Sequence, residues 1–158
     1  MGSQDYRIGD SKVLESREVS DGNAIRRRRE TLDGKYRFTT YERIERPNLA
    51  VVKKSGEREL FDREKLSIAI KSSVGKFFAS ELEVERIIND IEDAVYALGE
   101  SEVTSSVIGD IVLDVLASKS EVAYVRFASV YHDFKTLDEF EGILAQRREL
   151  NQQQEKSQ

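Results

Sequence analysis

Leu49-Ala50-Val51-Val52-Lys53-Lys54-Ser55-Gly56-Glu57-Arg58-Glu59-Leu60-Phe61-Asp62 is the stretch that decides the fold of this chain. Two short runs with apolar residues flank Lys54-Ser55-Gly56, and a polar, glycine-containing break of this kind predicts a β-hairpin. Beyond Asp62 the apolar residues change from a spacing of two to the 3.6-residue period of a helix. The hairpin is therefore the point at which strands give way to helices.

Five helices are predicted after the hairpin, each opened by a side chain that can accept a hydrogen bond from a free backbone N–H. The predicted N-caps are Asp62, Ser80, Thr104 or Ser105, Ser120 and Thr136. Ser80 with Glu83, and Thr136 with Glu139, have the spacing of a capping box. The fourth helix is predicted to run to about Lys135.

The single proline, Pro47, marks a change in the character of the chain. Proline favours extended geometry for itself and for the residue before it, so we expect a linker here. Residues 1–46 have short apolar clusters broken by glycines, which favours hairpins over helices. The predicted domains are 1–46 and 49–140, and the polar residues 146–158 are predicted to form a flexible tail.

These elements together predict an α+β fold. A small, metal-free β-hairpin module comes first, and a short β-sheet that caps a four- to five-helix bundle follows it. The length of 158 residues suits two small domains. A hydrophobic share of 39% and a charged share of 35% are typical of a globular protein in water.

The composition also excludes several classes of protein. With no cysteine and one histidine, His132, the chain has no thiol for catalysis, disulfides or metal binding. No apolar run is long enough to span a bilayer and no secretory signal pattern opens the sequence, so we expect a cytoplasmic protein. Neither a P-loop nor a Gly-x-Gly-x-x-Gly turn occurs. We therefore expect a protein that is not an enzyme.

Basic residues are concentrated in the first third of an acidic chain. The net charge is −5, yet residues 1–47 carry 11 basic against 9 acidic residues, whereas residues 48–158 carry 14 against 21. The run Ala24-Ile25-Arg26-Arg27-Arg28-Arg29-Glu30 is the most basic part. Arginine binds phosphate oxygens bidentately, which indicates nucleic acid binding. The alternative is that the arginines only solvate a surface.

Strand geometry limits how these arginines can act. Alternate residues of a strand face opposite sides, so four consecutive arginines cannot all contact one groove. We expect one pair to dominate, either Arg26 with Arg28 or Arg27 with Arg29.

Two runs in the first third, Ala24 to Glu30 and Arg37-Phe38-Thr39-Thr40-Tyr41-Glu42-Arg43, resemble the N-terminal module of the NrdR-type bacterial repressors of ribonucleotide reductase genes. That family has a zinc ribbon followed by a nucleotide-binding ATP-cone, and the resemblance extends from Met1 to about Phe140. It implies binding to double-stranded promoter DNA. The DNA-binding residues it implies or makes plausible are Lys12, Arg17, Arg26, Arg27, Arg28, Arg29, Arg37, Thr39 and Arg43.

The four cysteines of the family's zinc ribbon are missing. The matching positions are Ser3, Tyr6, Thr31 and Gly34, none of which supplies a thiolate, so zinc is not expected. A module of this size is marginal without a metal. Three explanations are open: the module packs on the rest of the chain, it orders only on DNA, or it has lost DNA binding.

The second part of the chain resembles an ATP-cone at four places: Val52 to Gly56, Glu59 to Asp62 with Lys65, Glu102 to Gly109, and Ala123 to Tyr131. The resemblance implies that ATP or dATP binds as an allosteric ligand. Lys53, Lys54 and Lys65 would contact phosphates, and Val52, Glu59 and Leu66 would frame the base or ribose. The remaining candidates are Ser105, Tyr124 and Tyr131. The alternative is that the lysines are solvated and the tyrosines belong to the core.

The resemblance as a whole implies a transcriptional repressor that senses ATP and dATP and acts as a homo-oligomer. Two other functions remain open from the sequence. The chain could be a nucleotide-sensing assembly protein that has lost DNA binding. It could also regulate an enzyme directly, such as ribonucleotide reductase itself.

Overall fold

The computed structural model describes residues 6–19, 22–133 and 135–157. The chain divides into two compact units, Met1–Pro47 and Asn48–Gln158, which we call the head and the body. Within the described ranges, no helix combines the length and the apolar character needed to cross a membrane. The α+β fold class predicted from the sequence is confirmed.

The head is a three-stranded antiparallel sheet in the order β1-β2-β3. The strands are β1 at Ser11–Val19, β2 at Ala24–Thr31 and β3 at Arg37–Arg43. A 3-10 turn, Ile8–Asp10, precedes β1. The pairing register of β1 shifts between Val13 and Glu15, which is a β-bulge. The arginine-rich strand β2 is therefore central and is held along both edges.

The body combines a small sheet with helices. The predicted hairpin is formed by β4, Ala50–Val52, and β5, Arg58–Leu60. A third strand, β6 at Glu102–Thr104, runs parallel to β4 and gives the order β5-β4-β6. The helices are α1 at Arg63–Val74, α2 at Glu81–Ala97, α3 at Ser105–Lys119, α4 at Glu121–Tyr131 and α5 at Leu137–Lys156.

The helices begin at residues whose side chains cap a free N–H group. Ser80 accepts a hydrogen bond from the Glu83 N–H at 3.2 Å, and the Glu83 carboxylate accepts one from the Ala79 N–H at 2.9 Å. Thr136 and Glu139 repeat this arrangement at the start of α5. The predicted N-caps confirmed in this way are Asp62, Ser80, Thr104, Ser120 and Thr136.

The core of the body lies between the helices and beneath the small sheet. Its buried side chains come mainly from α1, α2 and α3, and Val51 and Val103 add one residue each from β4 and β6. Full burial of one such aliphatic side chain contributes roughly 1.5–3 kcal/mol. The largest fully buried side chains are Ile70, Ile87, Ile88, Ile91, Leu116, Val74 and Val95.

Two helix ends differ from the sequence prediction. Helix α4 ends at Tyr131 rather than near Lys135, because Asp133 takes a left-handed backbone with φ of 51° that cannot continue the helix. Helix α5 continues to Lys156, where a flexible tail over 146–158 is predicted. The polar residues there are good helix formers and no proline interrupts them, so the helix propagates without burying any residue.

Candidate functional site

The head sorts its arginines onto two faces of the sheet. Residues directly opposite each other in antiparallel strands share a face. Arg26 lies opposite Arg17 and Tyr41, and Arg28 lies opposite Thr39. The predicted DNA-binding residues on this side, which we call the Arg26 face, are Lys12, Arg17, Arg26, Arg28, Arg37, Thr39 and Arg43. On the paired strands this face holds six Lys or Arg against two Glu.

The opposite face carries Arg27 and Arg29, whose charged groups are engaged within the protein. Arg27 lies 3.5 Å from a carboxylate oxygen of Glu42. Arg29 donates hydrogen bonds to the hydroxyls of Thr40, at 3.0 Å, and Ser11, at 3.2 Å. The predicted run of four arginines is thus divided into two pairs with different surroundings.

On the Arg26 face, neighbouring polar groups position some cations and leave one without a partner. Arg28 donates to the Thr39 hydroxyl at 2.9 Å, and Arg37 pairs with Glu30 at 2.8 Å. Hydrogen bonding from Arg37 is the main reason that the pKa of Glu30 is lowered. Arg26 has no hydrogen bond or ion pair with any described residue, although it lies opposite Arg17. Like charges opposite each other destabilise a sheet unless an anion offsets them.

In the body, two of the predicted phosphate-binding lysines converge on one carboxylate. The same Oε2 atom of Glu59 lies 2.9 Å from Lys65 Nζ and 3.2 Å from Lys53 Nζ. Hydrogen bonds from Lys65 first, and then from Lys53, lower the pKa of Glu59. The Glu59 carboxylate in turn raises the pKa of Lys65. The cluster holds two positive charges against one negative charge.

The small sheet brings further predicted residues to one edge. Val52 at the end of β4 is in register with Thr104 at the end of parallel β6, so the next residues, Lys53 and Ser105, leave the sheet at the same edge. Ser105 is the first residue of α3. The carboxyl ends of neighbouring parallel strands are a common place for ligands in α/β sheets.

Tyr131 extends this edge towards α4. Its hydroxyl donates to the Ser106 carbonyl at 3.2 Å, and the ammonium of Lys54 lies 5.9 Å from the centre of its ring. Phe127 stacks on the same ring at 6.0 Å. The structure therefore brings Tyr131 and Lys54 to the start of α3.

Two other predicted nucleotide-binding residues lie in different surroundings. Leu66 is 9% exposed and belongs to the hydrophobic core. Tyr124 has the guanidinium of Arg147, from α5, 5.6 Å from its ring centre, and burial raises the pKa of its phenol. Seven residues along α4 separate Tyr124 from Tyr131, which is roughly 10 Å.

Comparison with known proteins matches both units of the chain. A family model for the ATP cone domain matches residues 49–137, and one for the transcriptional repressor NrdR-like N-terminal domain matches residues 7–42. Proteins named transcriptional repressor NrdR are similar over most of their length. Identity is 48% with that of Streptococcus gordonii, over 86% of this chain and 87% of the relative, and 52% with that of Microcystis aeruginosa, over 86% and 80%. For Petrotoga mobilis it is 50%, over 83% and 87%.

The chain belongs to the NrdR family of transcriptional repressors. The resemblance seen in the sequence is thereby confirmed. NrdR is a family of repressors and not of enzymes, as the sequence predicts. In this NrdR chain, the N-terminal match falls within the head, and the ATP-cone match falls within the body.

The residues at the NrdR metal positions do not fit zinc. Tyr6 has its ring stacked on Phe38, the Thr31 hydroxyl is already hydrogen-bonded within the protein, and Gly34 has no side chain. The fourth position, Ser3, lies outside the described residues. Zinc sites are built from thiolate, imidazole and carboxylate groups. Across 6–19, 22–133 and 135–157, no three such side chains lie together.

Two residues of this NrdR chain that lie outside the predicted binding sets also shape the sites. Tyr41 lies directly opposite Arg26 and stacks beneath Arg43 at 4.5 Å, and strand alternation could have placed it there. Gly109 of α3 faces the Tyr131 ring, and a Cβ atom at this position would overlap that ring. Only a glycine inside an otherwise apolar helix signals such a contact in the sequence.

Proposed function

We propose that this protein is a nucleotide-responsive repressor that binds promoter DNA of ribonucleotide reductase genes through the Arg26 face of its head. The proposal rests on family membership for the activity and on the charge of this face for the surface. A repressor of this kind acts in the bacterial cytoplasm, where the chromosome lies.

The observation that carries the choice of face is the unpartnered guanidinium of Arg26. It stands opposite Arg17 on a strand held at both edges, among five other basic residues and two acidic ones. Arg17 pairs with Glu15 at 2.6 Å, whereas Arg26 has no anionic partner among the described residues, so phosphate groups of DNA would supply the anion that Arg26 lacks. Arg27 and Arg29 already have protein partners, so they are less suited to bind DNA.

For the body, we propose that adenine nucleotides bind where Lys53, Lys54 and Lys65 meet the start of α3. The lysines supply positive charge for phosphates, and the N-terminus of a helix favours anions. Tyr131 offers an aromatic ring beside Lys54. ATP and dATP would compete here and change how copies of the chain assemble, which sets the spacing of the heads along DNA.

Two arginines that are neighbours in β2 provide the test. Arg26→Gln removes a charge that has no partner among the described residues, and Arg27→Gln removes the same charge from the opposite face. Binding to a labelled promoter fragment from a reductase gene is measured by fluorescence anisotropy across a salt series, with dATP present. We expect Arg26→Gln to weaken binding roughly tenfold and to reduce the slope against log salt by about 1, because one phosphate contact is lost.

Arg27→Gln is expected to stay within about twofold of the unchanged protein, since its partner Glu42 is exposed and screened. An equal loss in both variants would show that the Arg26 face is not the DNA-binding surface. If the unchanged protein has no affinity for the fragment even at low salt with dATP bound, the repressor function is wrong for this chain.

A further inference from the structure

We propose that the head is held together without a metal, by stacking of Tyr6 on Phe38 and Tyr36 and by a turn built around the Thr31 hydroxyl. We call the first contact the aromatic clip and the second the Thr31 turn, which spans 31–36. The two contacts connect the same parts of the head in which the family places its metal ligands. This inference concerns folding of the head and does not depend on the DNA-binding proposal.

The aromatic clip joins the segment before β1 to β3. The ring of Tyr6 stacks on that of Phe38 with centroids 4.6 Å apart and planes at 24°, and it contacts Tyr36 at 5.8 Å. Such ring pairs add to the free energy gained from burying their surface. A backbone hydrogen bond from Leu32 N–H to the Asp10 carbonyl, at 3.0 Å, also fastens the segment before β1 to the turn that follows β2. Together these contacts close the end of the sheet.

The Thr31 turn uses its one buried hydroxyl as both donor and acceptor. Thr31 is 6% exposed; its Oγ1 donates to the Asp33 carboxylate at 2.6 Å and accepts from the Tyr36 N–H at 3.1 Å. The same Asp33 oxygen accepts from the Lys35 N–H at 3.0 Å. The hydrogen bond from Thr31 is the main reason that the pKa of Asp33 is lowered. A buried hydroxyl that is satisfied in this way stabilises the turn, whereas an unsatisfied one would not.

Gly34 completes the turn because it adopts a backbone conformation that residues with a side chain rarely take. Its φ is 73°, in the left-handed region that glycine adopts without strain, and its N–H donates to the Thr31 carbonyl at 2.8 Å. A cysteine at this position would be strained in the observed backbone. Thr31 and Gly34 thus belong to one turn, and Tyr36 connects that turn to Tyr6 through its N–H group on Thr31 and its ring on Tyr6.

The test separates ring stacking from metal ligation at a single residue. Tyr6→Phe keeps the ring and removes the phenol oxygen, which is the one atom of this side chain that could bind a metal. Tyr6→Ala removes both. Hydrogen–deuterium exchange with mass spectrometry, on the full-length protein without DNA, reports on peptides from 24–43, and helices α1 to α3 serve as an internal control.

We expect the unchanged protein to contain far less than one zinc per chain by elemental analysis. Its protection from exchange in 24–43 should be the same with and without EDTA. Tyr6→Phe should match the unchanged protein, and Tyr6→Ala should exchange roughly tenfold faster or more in this region, because two ring contacts are lost.

Several results would overturn the inference. One is a stoichiometric zinc whose removal by EDTA speeds exchange in 24–43. Two others are a Tyr6→Phe variant that exchanges as fast as Tyr6→Ala, and a Tyr6→Ala variant with unchanged protection. The last is a lack of protection from exchange in the head of the unchanged protein. None of these readings uses DNA, so failure of the DNA-binding proposal would be recorded separately.

A second pair of variants tests the Thr31 turn independently. Thr31→Ser retains the hydroxyl, whereas Thr31→Val has nearly the same shape and leaves the Tyr36 N–H without its acceptor. We expect exchange in 31–36 to be unchanged in Thr31→Ser and roughly tenfold faster in Thr31→Val. Equal protection in both variants would show that the hydroxyl does not hold the turn.

Discussion

Among single residues, Gly109 illustrates how one missing side chain shapes the candidate nucleotide site. It is buried in α3, where Tyr131 of α4 lies so close that only a glycine fits. The close approach lets the Tyr131 hydroxyl reach the Ser106 carbonyl one turn earlier in α3. The position of the aromatic ring therefore depends on the absence of a side chain at position 109.

We expect Gly109→Ala to lower the free energy of unfolding by about 1–3 kcal/mol, because the added methyl group forces the Tyr131 ring to move. Gly142→Ala is the matched control, since Gly142 lies in α5 with nothing within 4 Å of the added carbon. At position 142, alanine should stabilise the helix by up to about 1 kcal/mol. Denaturant unfolding measures both, and stabilisation by both alanines would contradict the proposed contact.

The pKa of Glu59 should depend on the two lysines that contact its carboxylate, Lys53 and Lys65. Its pKa is lowered from an ordinary value of 4.5, so its contribution to stability is present above pH 4.5 and is lost as the pH falls through the lowered pKa. Lys65→Met removes the larger cause and should return the Glu59 pKa towards 4.5. Carbon-13 NMR of the carboxyl group during a pH titration measures this. Lys76→Met, two residues beyond the C-terminal end of α1, should leave the titration unchanged.

At the scale of elements, α1 and α2 are joined by one half-buried arginine. Arg63 pairs with Glu85 at 3.0 Å and with Glu92 at 3.2 Å, and its side chain is 20% exposed. Arg58 of β5 makes a comparable contact with Glu102 of β6 at 3.1 Å, but it is 68% exposed. The two arginines have the same chemistry in different surroundings.

We expect Arg63→Ala to lower the free energy of unfolding by about 2–3 kcal/mol, because two ion pairs are lost in a poorly solvated place. Arg58→Ala should cost under about 1 kcal/mol, since water and salt screen an exposed pair. Urea unfolding followed by circular dichroism compares the two variants. A similar loss in both would mean that burial does not decide the strength of these pairs.

Much of the element order could be predicted because the relevant signals are local. Residues such as Asp62 and Ser80 act on N–H groups two or three positions away, so their spacing is visible in the sequence. Strand β6 was not predictable in this way. Its three residues contain one buried side chain, Val103, and its pairing with β4 depends on residues about 50 positions away.

The candidate sites show the same division between local and long-range information. Alternation along β2 predicts that the arginines divide into two pairs, but the choice of the Arg26 face depends on Arg17 and Arg43, which come from the neighbouring strands. The convergence of Lys53 and Lys65 on Glu59 likewise requires the fold. Residue types could be chosen from the sequence, whereas their partners could not.

For the whole molecule, the proposed function requires that several heads bind at once. One head offers a limited number of phosphate contacts, and joining heads through nucleotide-controlled assembly raises the effective concentration of the second. We expect a DNA fragment with two binding sites to be bound about 10²–10⁴-fold more tightly than one with a single site in the nucleotide state that represses.

Gel filtration with light scattering, run with ATP, with dATP and without nucleotide, should show that this state is also an oligomer. The single-site fragment is the control for the intrinsic affinity of one head. Equal affinity for the two fragments in every nucleotide state would mean that the heads act alone.

The Thr31 turn and the aromatic clip contain no sulfur atom, and that has a consequence for the cell. Thiolates that hold a metal are open to attack by peroxide, which ejects the ion and unfolds the module. A head that is held by aromatic stacking and a hydroxyl has no thiolate that peroxide could oxidise at those positions. It also needs no zinc, so zinc starvation would not unfold it. Repression by such a protein would persist through oxidative stress and metal limitation.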